Sequence, residues 1–152
     1  MLRIPKSVDY GVLILLTLYE SEDQMLSAKE IATRCGVSYQ QVAKLLKMLV
    51  KNALVQSKQR AQDGYSLSPE KANLNLEEIY QALEGPFSFA ECMDKHVAGS
   101  NGCKVDPTCR LKPHLAIINQ AIQSVCRSLT IKDISRSRHR KPELPFPLGV
   151  AL

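Results

Sequence analysis

The sequence predicts a mainly α-helical protein, a winged helix-turn-helix followed by a long C-terminal dimerisation helix. Three observations carry that prediction. Two capped helical patterns meet at Gly36, a pair of short strands around a polar turn follows them, and from Leu111 onward apolar residues recur on a heptad. The chain divides accordingly into a DNA-binding domain over 1–68, a linking helix and cysteine-rich loop over 69–110, a dimerisation helix over 111–134 and a tail over 135–152.

Asp9 to Tyr19 is apolar almost all round, as a buried helix must be, with Ser7 placed to cap it and Asp9 in its first turn. Glu20 to Gln24 is polar and reads as a loop. Ser27-Ala28-Lys29-Glu30 has the form of a capping box and opens a helix to Arg34 or Cys35, which Gly36 ends in a left-handed conformation. Ser38, three residues before Gln41, opens the next helix by the same device, running to about Lys51. Val42, Leu45, Leu46 and Leu49 fall on its inner face, and small Ala32 suits the crossing of the two helices. Ala53 to Lys58 and Tyr65 to Ser68 read as paired strands, with Gln59 to Gly64 as the turn between them.

A helix-turn-helix followed at once by a hairpin is a winged helix. Its second helix turns Ser38, Tyr39, Gln40, Gln41, Lys44 and Lys47 outward, and the hairpin offers Lys58 and Arg60 at its tip. Glutamine amides pair with adenine edges, whereas lysine and arginine neutralise phosphates, so the set predicts a double-stranded DNA operator as partner. A solvated helix face explains any one of these residues; the set behind a helix-turn-helix favours DNA. A net charge of +5 and a pI near 9.0 permit nucleic-acid binding without requiring it.

Asn75 to Glu78 caps a further helix carrying Leu76, Ile79, Tyr80 and Leu83, which Gly85-Pro86 ends. Beyond the cysteine-rich loop, Pro113 sits where a first-turn proline is tolerated. Leu111, Leu115, Ile118, Ile122, Val125 and Leu129 then follow at steps of 4, 3, 4, 3 and 4. So narrow and regular a seam suits a helix that pairs with a second copy, and a homodimer also matches the palindromic form of common operators. Ser135 to Leu152, with Arg136, Arg138, Arg140, Lys141 and several prolines, lacks periodicity and reads as a disordered tail.

Three of the five cysteines, Cys92, Cys103 and Cys109, are spaced C-x10-C-x5-C across a segment holding Gly99, Ser100, Asn101, Gly102 and Pro107. Free cysteine is usually buried, and a polar loop buries little, so three thiols here call for a chemical reason. Thiolates on such a segment suit a soft metal or an iron–sulfur cluster. Structural zinc and a disulfide switch use the same residues. Cys35 and Cys126 sit on helices and read as packing residues. An odd cysteine count suits reduced thiols, and the short run Val12 to Leu18, followed by Glu20, Glu22 and Asp23, suits neither a signal peptide nor a bilayer span. A cytoplasmic protein is expected. No nucleotide-binding glycine loop is present, so neither an enzyme nor a small-molecule substrate is expected.

The M-L-R-I-P-K-S-V-D-Y opening, the helix-turn-helix, the D-G-Y-S-L wing and three cysteines after L-E-G-P together resemble the IscR/NsrR-type (Rrf-two) family of winged-helix transcription regulators over about residues 1–134. A-L-E-G-P, A-E-C and P-H-L-A-I-I-N-Q-A-I look most like the branch that regulates the SUF iron–sulfur assembly system. The resemblance implies a homodimeric regulator of such genes, a repressor in the favoured reading and an activator in the alternative, with Cys92, Cys103 and Cys109 as ligands of a cluster. It favours a [2Fe-2S] cluster by likeness to the IscR branch, with [4Fe-4S] as the alternative, and nitric-oxide sensing belongs to the neighbouring NsrR branch. Asp9 aligns with an acidic ligand contributed by the partner subunit in that branch; His114, and less strongly His96, are the other candidates for a fourth ligand. The family's pattern is not matched throughout. Cys92 and Cys103 stand further apart than in the best-known IscR branch, His114 lies further beyond the last cysteine than that branch's histidine ligand, and the wing has Asp63-Gly64 where many members have two glycines.

Overall fold

Helix α1 (Lys6–Glu20) has too little polar surface to lie on the outside, and it forms the centre of the fold, with Val8, Ile14, Leu15 and Leu18 sealed from solvent. The computed structural model describes residues 4–22, 24–58, 64–71, 73–90 and 108–137. The helix begins earlier than the Ser7 cap implies. Pro5 occupies the cap position, and its carbonyl accepts the amides of Val8 at 3.0 Å and Asp9 at 3.1 Å. Proline's fixed φ suits that entry, so Ser7 falls inside the helix, and its hydroxyl donates instead to the Glu84 carboxylate. Gly11 lies where α1 meets α4: a Cβ there would stand 2.4 Å from Leu83 Cδ1.

Helix α2 (Ala28–Cys35) starts with the predicted capping box. Ser27 Oγ accepts the Glu30 amide at 3.2 Å and Glu30 Oε2 accepts the Ser27 amide at 2.8 Å. Gly36 ends it at φ 68°, a conformation that costs a side-chain-bearing residue energy. These bonds hold the Glu30 carboxyl below its ordinary pKa, first through the Ser27 hydroxyl and then through its amide. A depressed folded-state pKa contributes stability that is present above the unfolded value and lost as pH falls through the folded one. Ser27→Ala, which removes the capping hydroxyl, is therefore expected to lower the thermal midpoint at neutral pH. Thermal melts across the carboxylate range should show a smaller acid-induced loss in the variant than in the parent.

Helix α3 (Tyr39–Lys51) buries Val42, Leu45, Leu46 and Leu49, the face its periodicity predicts. Ser38 does not form a second capping box. Its hydroxyl donates to Gln41 Oε1 at 3.0 Å, so the two side chains pair with each other rather than with the backbone. The wing consists of β1 (Val55–Lys58) and β2 (Gly64–Leu67), antiparallel, with Val55 opposite Leu67 and Lys58 opposite Gly64. It starts later than expected because Ala53 takes φ 56° and Leu54 folds back to donate to the Leu49 carbonyl at 2.9 Å. Leu26 pairs with Tyr65 on the wing's other edge, through bonds of 3.0 and 2.8 Å.

After a short 3-10 turn (Pro69–Lys71), helix α4 (Leu76–Glu84) forms with the predicted Asn75–Glu78 capping box and ends at Gly85, φ 89°. Helix α5 (Lys112–Ser128) carries Pro113 in its first turn. It stops short of the expected residue 134. Leu129 turns extended and accepts the Leu76 amide at 2.9 Å, while the Ile131 amide donates to the Leu74 carbonyl at 2.9 Å. Thr130 and Asp133 then form a capping box that opens α6 (Ile131–Arg136), whose Ile131 is fully buried. Ser135 to Ser137 thus belong to or flank a helix rather than a tail, and 138–152 lie outside the described residues.

Candidate nucleic-acid interface and thiol site

Because α3 buries one stripe, the opposite stripe must face out. Ser38, Tyr39, Gln40, Gln41, Lys44 and Lys47 are all exposed, Tyr39 by 58%. Lys51 continues the cationic line at helical spacing. Lys58 is exposed at the end of β1, and Arg60 lies outside the described residues. The structure brings the start of α2, the start of α3 and the wing together around an open groove of about 300 Å³. Ser27, Tyr39, Ser57, Lys58 and Tyr65 line it. Hydroxyls beside an ammonium group suit a phosphate oxygen. Ser57 and Tyr65 escape sequence reasoning, although their place opposite one another in the hairpin register is the signal that could find them.

The thiols are partly in view. Cys109 is a half-exposed free thiol just before α5, and its carbonyl accepts the Lys112 amide at 3.4 Å. Cys92, Cys103 and His96 lie outside the described residues. Asp9 is exposed on α1, and His114 is exposed with a ring nitrogen 3.3 Å from the Arg110 carbonyl oxygen. Among the described residues no three His, Cys, Asp or Glu side chains gather as a metal site. The chain leading to Cys92 is nevertheless anchored on α5: the Phe89 amide donates to Asn119 Oδ1 at 2.8 Å and Gln123 Nε2 to the Phe87 carbonyl at 3.4 Å. It returns to the foot of the same helix at Cys109. Both ends of the cysteine segment are thus rooted on α5, at points roughly two turns apart. Thiol donors on such a segment fit an iron–sulfur cluster or zinc.

Cys35 and Cys126 differ from that set. Burial pushes both thiols above the ordinary value. For Cys35 a hydrogen bond with Thr17, 3.2 Å away, partly offsets burial; for Cys126 nearby Glu77 adds to it. Both should be alkylated by iodoacetamide more slowly in the folded protein than in denaturant, measurable by mass spectrometry of the labelled peptides.

Comparison with known proteins settles the family. The Rrf2 family model, described as an iron-dependent transcriptional regulator, matches residues 4–137. The chain belongs to the Rrf2 family. The HTH-type transcriptional regulator NsrR of Oceanobacillus iheyensis is 28% identical over 140 residues, covering 90% of this chain and 91% of that one. Protein aau3 of Rhizobium meliloti is 27% identical over 149 residues, covering 98% and 93%. Among solved structures, CymR (YrzC), the global cysteine regulator of B. subtilis, superposes with a TM-score of 0.69 at 26% identity, covering 90% of this chain and 98% of that one. The T. potens IscR structure shares the fold, with a TM-score of 0.70 at 24% identity and 93% of each chain covered. This Rrf2 protein is a winged-helix transcriptional regulator, of a family whose regulators bind DNA, and NsrR and CymR are both named as regulators. Among the described residues no helix is long and apolar enough to cross a membrane.

Proposed function

We propose that this protein is a homodimeric repressor of SUF-type iron–sulfur assembly genes whose operator affinity is set by an iron–sulfur cluster. Cys92, Cys103 and Cys109 would hold the cluster, with Asp9 of a second copy or His114 as the fourth ligand. The observation that carries the reading is the rooting of the cysteine segment on α5, between the winged helix and the helix that bears the heptad seam. A bound cluster would supply a redox- and supply-sensitive link between thiolates that are far apart in sequence.

This chain's own residues would do the rest. Held thiolates would fix the segment against α5, and α5 would set the separation of two recognition helices across the dimer. No residue of α5 is buried within one chain, and Leu111 (59% exposed), Ile117 (65%) and Ile118 (41%) present apolar surface that a second copy would cover. A two-fold dimer would then read a palindromic operator, with α3 in the major groove and the wing beside it. Glutamines 40 and 41 would meet base edges, and Lys44, Lys47, Lys58 and Arg60 the phosphates. Loss of the cluster would free the segment and change the affinity.

The test is the visible spectrum of protein purified without oxygen, with iron and acid-labile sulfide assayed on the same sample. A brown protein with iron and sulfide present is expected, its absorbance lost in a Cys92→Ala, Cys103→Ala, Cys109→Ala variant. A colourless protein that stays iron-free after reconstitution overturns the cluster. A second reading, a switch made by the thiols alone, draws on the likeness to the cysteine regulator CymR. Under it, gel mobility would change with reductant while iron stayed absent.

A further inference from the structure

The end of the recognition helix is built in an unusual way. The Leu54 amide donates to the Leu49 carbonyl at 2.9 Å and the Ala53 amide to that of Val50 at 3.0 Å, which is the Schellman arrangement. Glycine normally fills the left-handed position of that motif. Here it is Ala53, at φ 56°. A residue with a Cβ is disfavoured there, and such a conformation persists only where neighbouring structure enforces it.

Two side chains, one at the helix cap and one beyond it, tie the turn to its surroundings. Ser68 Oγ donates to the Ala53 carbonyl at 2.9 Å, tying the turn to the exit of the wing. Asn52 Nδ2 donates to the Met48 carbonyl at 2.9 Å within α3 and also to the Ala82 carbonyl of α4 at 3.0 Å. Helix α4 in turn carries Tyr80, whose ring meets that of Phe87 edge-on, with centroids 5.2 Å apart and planes at 76°. Phe87 belongs to the strap that α5 holds through Gln123 and Asn119 and that leads into Cys92. A continuous line of contacts therefore runs from the strap to α4 and on to the C-terminus of α3.

We propose that Asn52 is the positioning residue that couples the Phe87–Ala90 strap to the recognition helix. Movement of the strap against Tyr80 displaces α4, a short helix capped at both ends that moves as one body. The Asn52 amide passes that displacement to the end of α3, where the strained Ala53 turn is the part able to yield. The inference rests on the DNA-binding part of the function proposed above and needs no metal.

A double-mutant cycle on metal-free, full-length protein tests it. The probe is a duplex selected from a random-sequence library by the parent protein, with affinity read by fluorescence anisotropy. Phe87→Ala alone is expected to change duplex affinity by about threefold or more. In the Asn52→Ala background the same substitution should change it by less than about 1.5-fold, because the connection is already cut. A merely structural role for Asn52 would lower affinity or stability without abolishing the effect of Phe87→Ala. Equal effects of Phe87→Ala in both backgrounds, or none in the parent, overturn the coupling while leaving DNA binding intact. Failure of the parent to select any duplex overturns the DNA reading and the coupling with it. Asn52→Leu replaces Asn52→Ala, and Phe87→Leu replaces Phe87→Ala, where circular dichroism shows the first choice unfolded.

Discussion

Replacing Lys44 and Lys47 together by alanine should weaken operator binding by roughly ten- to a hundredfold at moderate salt, with the fold unchanged. Both side chains are exposed on α3, opposite the buried Val42, Leu45, Leu46 and Leu49, so their removal opens no cavity. A lysine that neutralises a phosphate releases a counterion, and each contact contributes about 0.9 to the slope of log affinity against log salt. The double variant should therefore lose close to two units of that slope, about equally for operator and unrelated DNA. Gln40→Ala should behave differently. An amide that pairs with a base edge is worth about 1–3 kcal/mol of discrimination, so its loss relaxes sequence preference and leaves the salt slope unchanged. Titrations at several salt concentrations against operator and scrambled duplexes separate the two patterns.

Leu46→Ala should cost about 2–5 kcal/mol, a large part of the stability of a domain this size. Leu46 is wholly buried and belongs to the same core as Ile14, Leu15, Ile31 and Leu49, drawn from α1, α2 and α3. The expected result in a urea titration is a lower midpoint with an unchanged slope. Operator binding would fall only in proportion to the fraction unfolded. Leu46 and Lys47 are neighbours in sequence, yet one substitution would act on stability and the other on DNA, because successive helical positions point to different faces.

The parts of the fold legible in the sequence are those fixed by short-range hydrogen bonding or by periodicity. Ser27 with Glu30 and Asn75 with Glu78 announce their helices because each box closes within three residues. Gly36 marks the turn because its conformation excludes most other residues. The break between α5 and α6 is harder to see, since Leu129 continues the heptad and only the pairing of 74–76 with 129–131 ends the helix. Thr130 and Asp133 carried a readable cap signal that the apolar repeat obscured. Gly11 is of another kind: nothing in its neighbours tells that Leu83 of α4 will press against it. At the interface, the outward residues of α3 follow from its amphipathic pattern. The groove that adds Ser57 and Tyr65 depends on wing and α2 meeting across Leu26 and Tyr65, a long-range contact without a local signature.

The most direct measurement is the operator affinity of one anaerobic preparation, titrated with its cluster in place and again after the cluster has been removed by chelation. The cysteine triple variant is carried alongside. The account predicts an affinity change of about tenfold or more between the two states of the parent, a coupling within the usual range, and a single cluster-free affinity for the variant. Identical operator affinity and selectivity for parent with cluster, parent without it and triple variant would contradict the account.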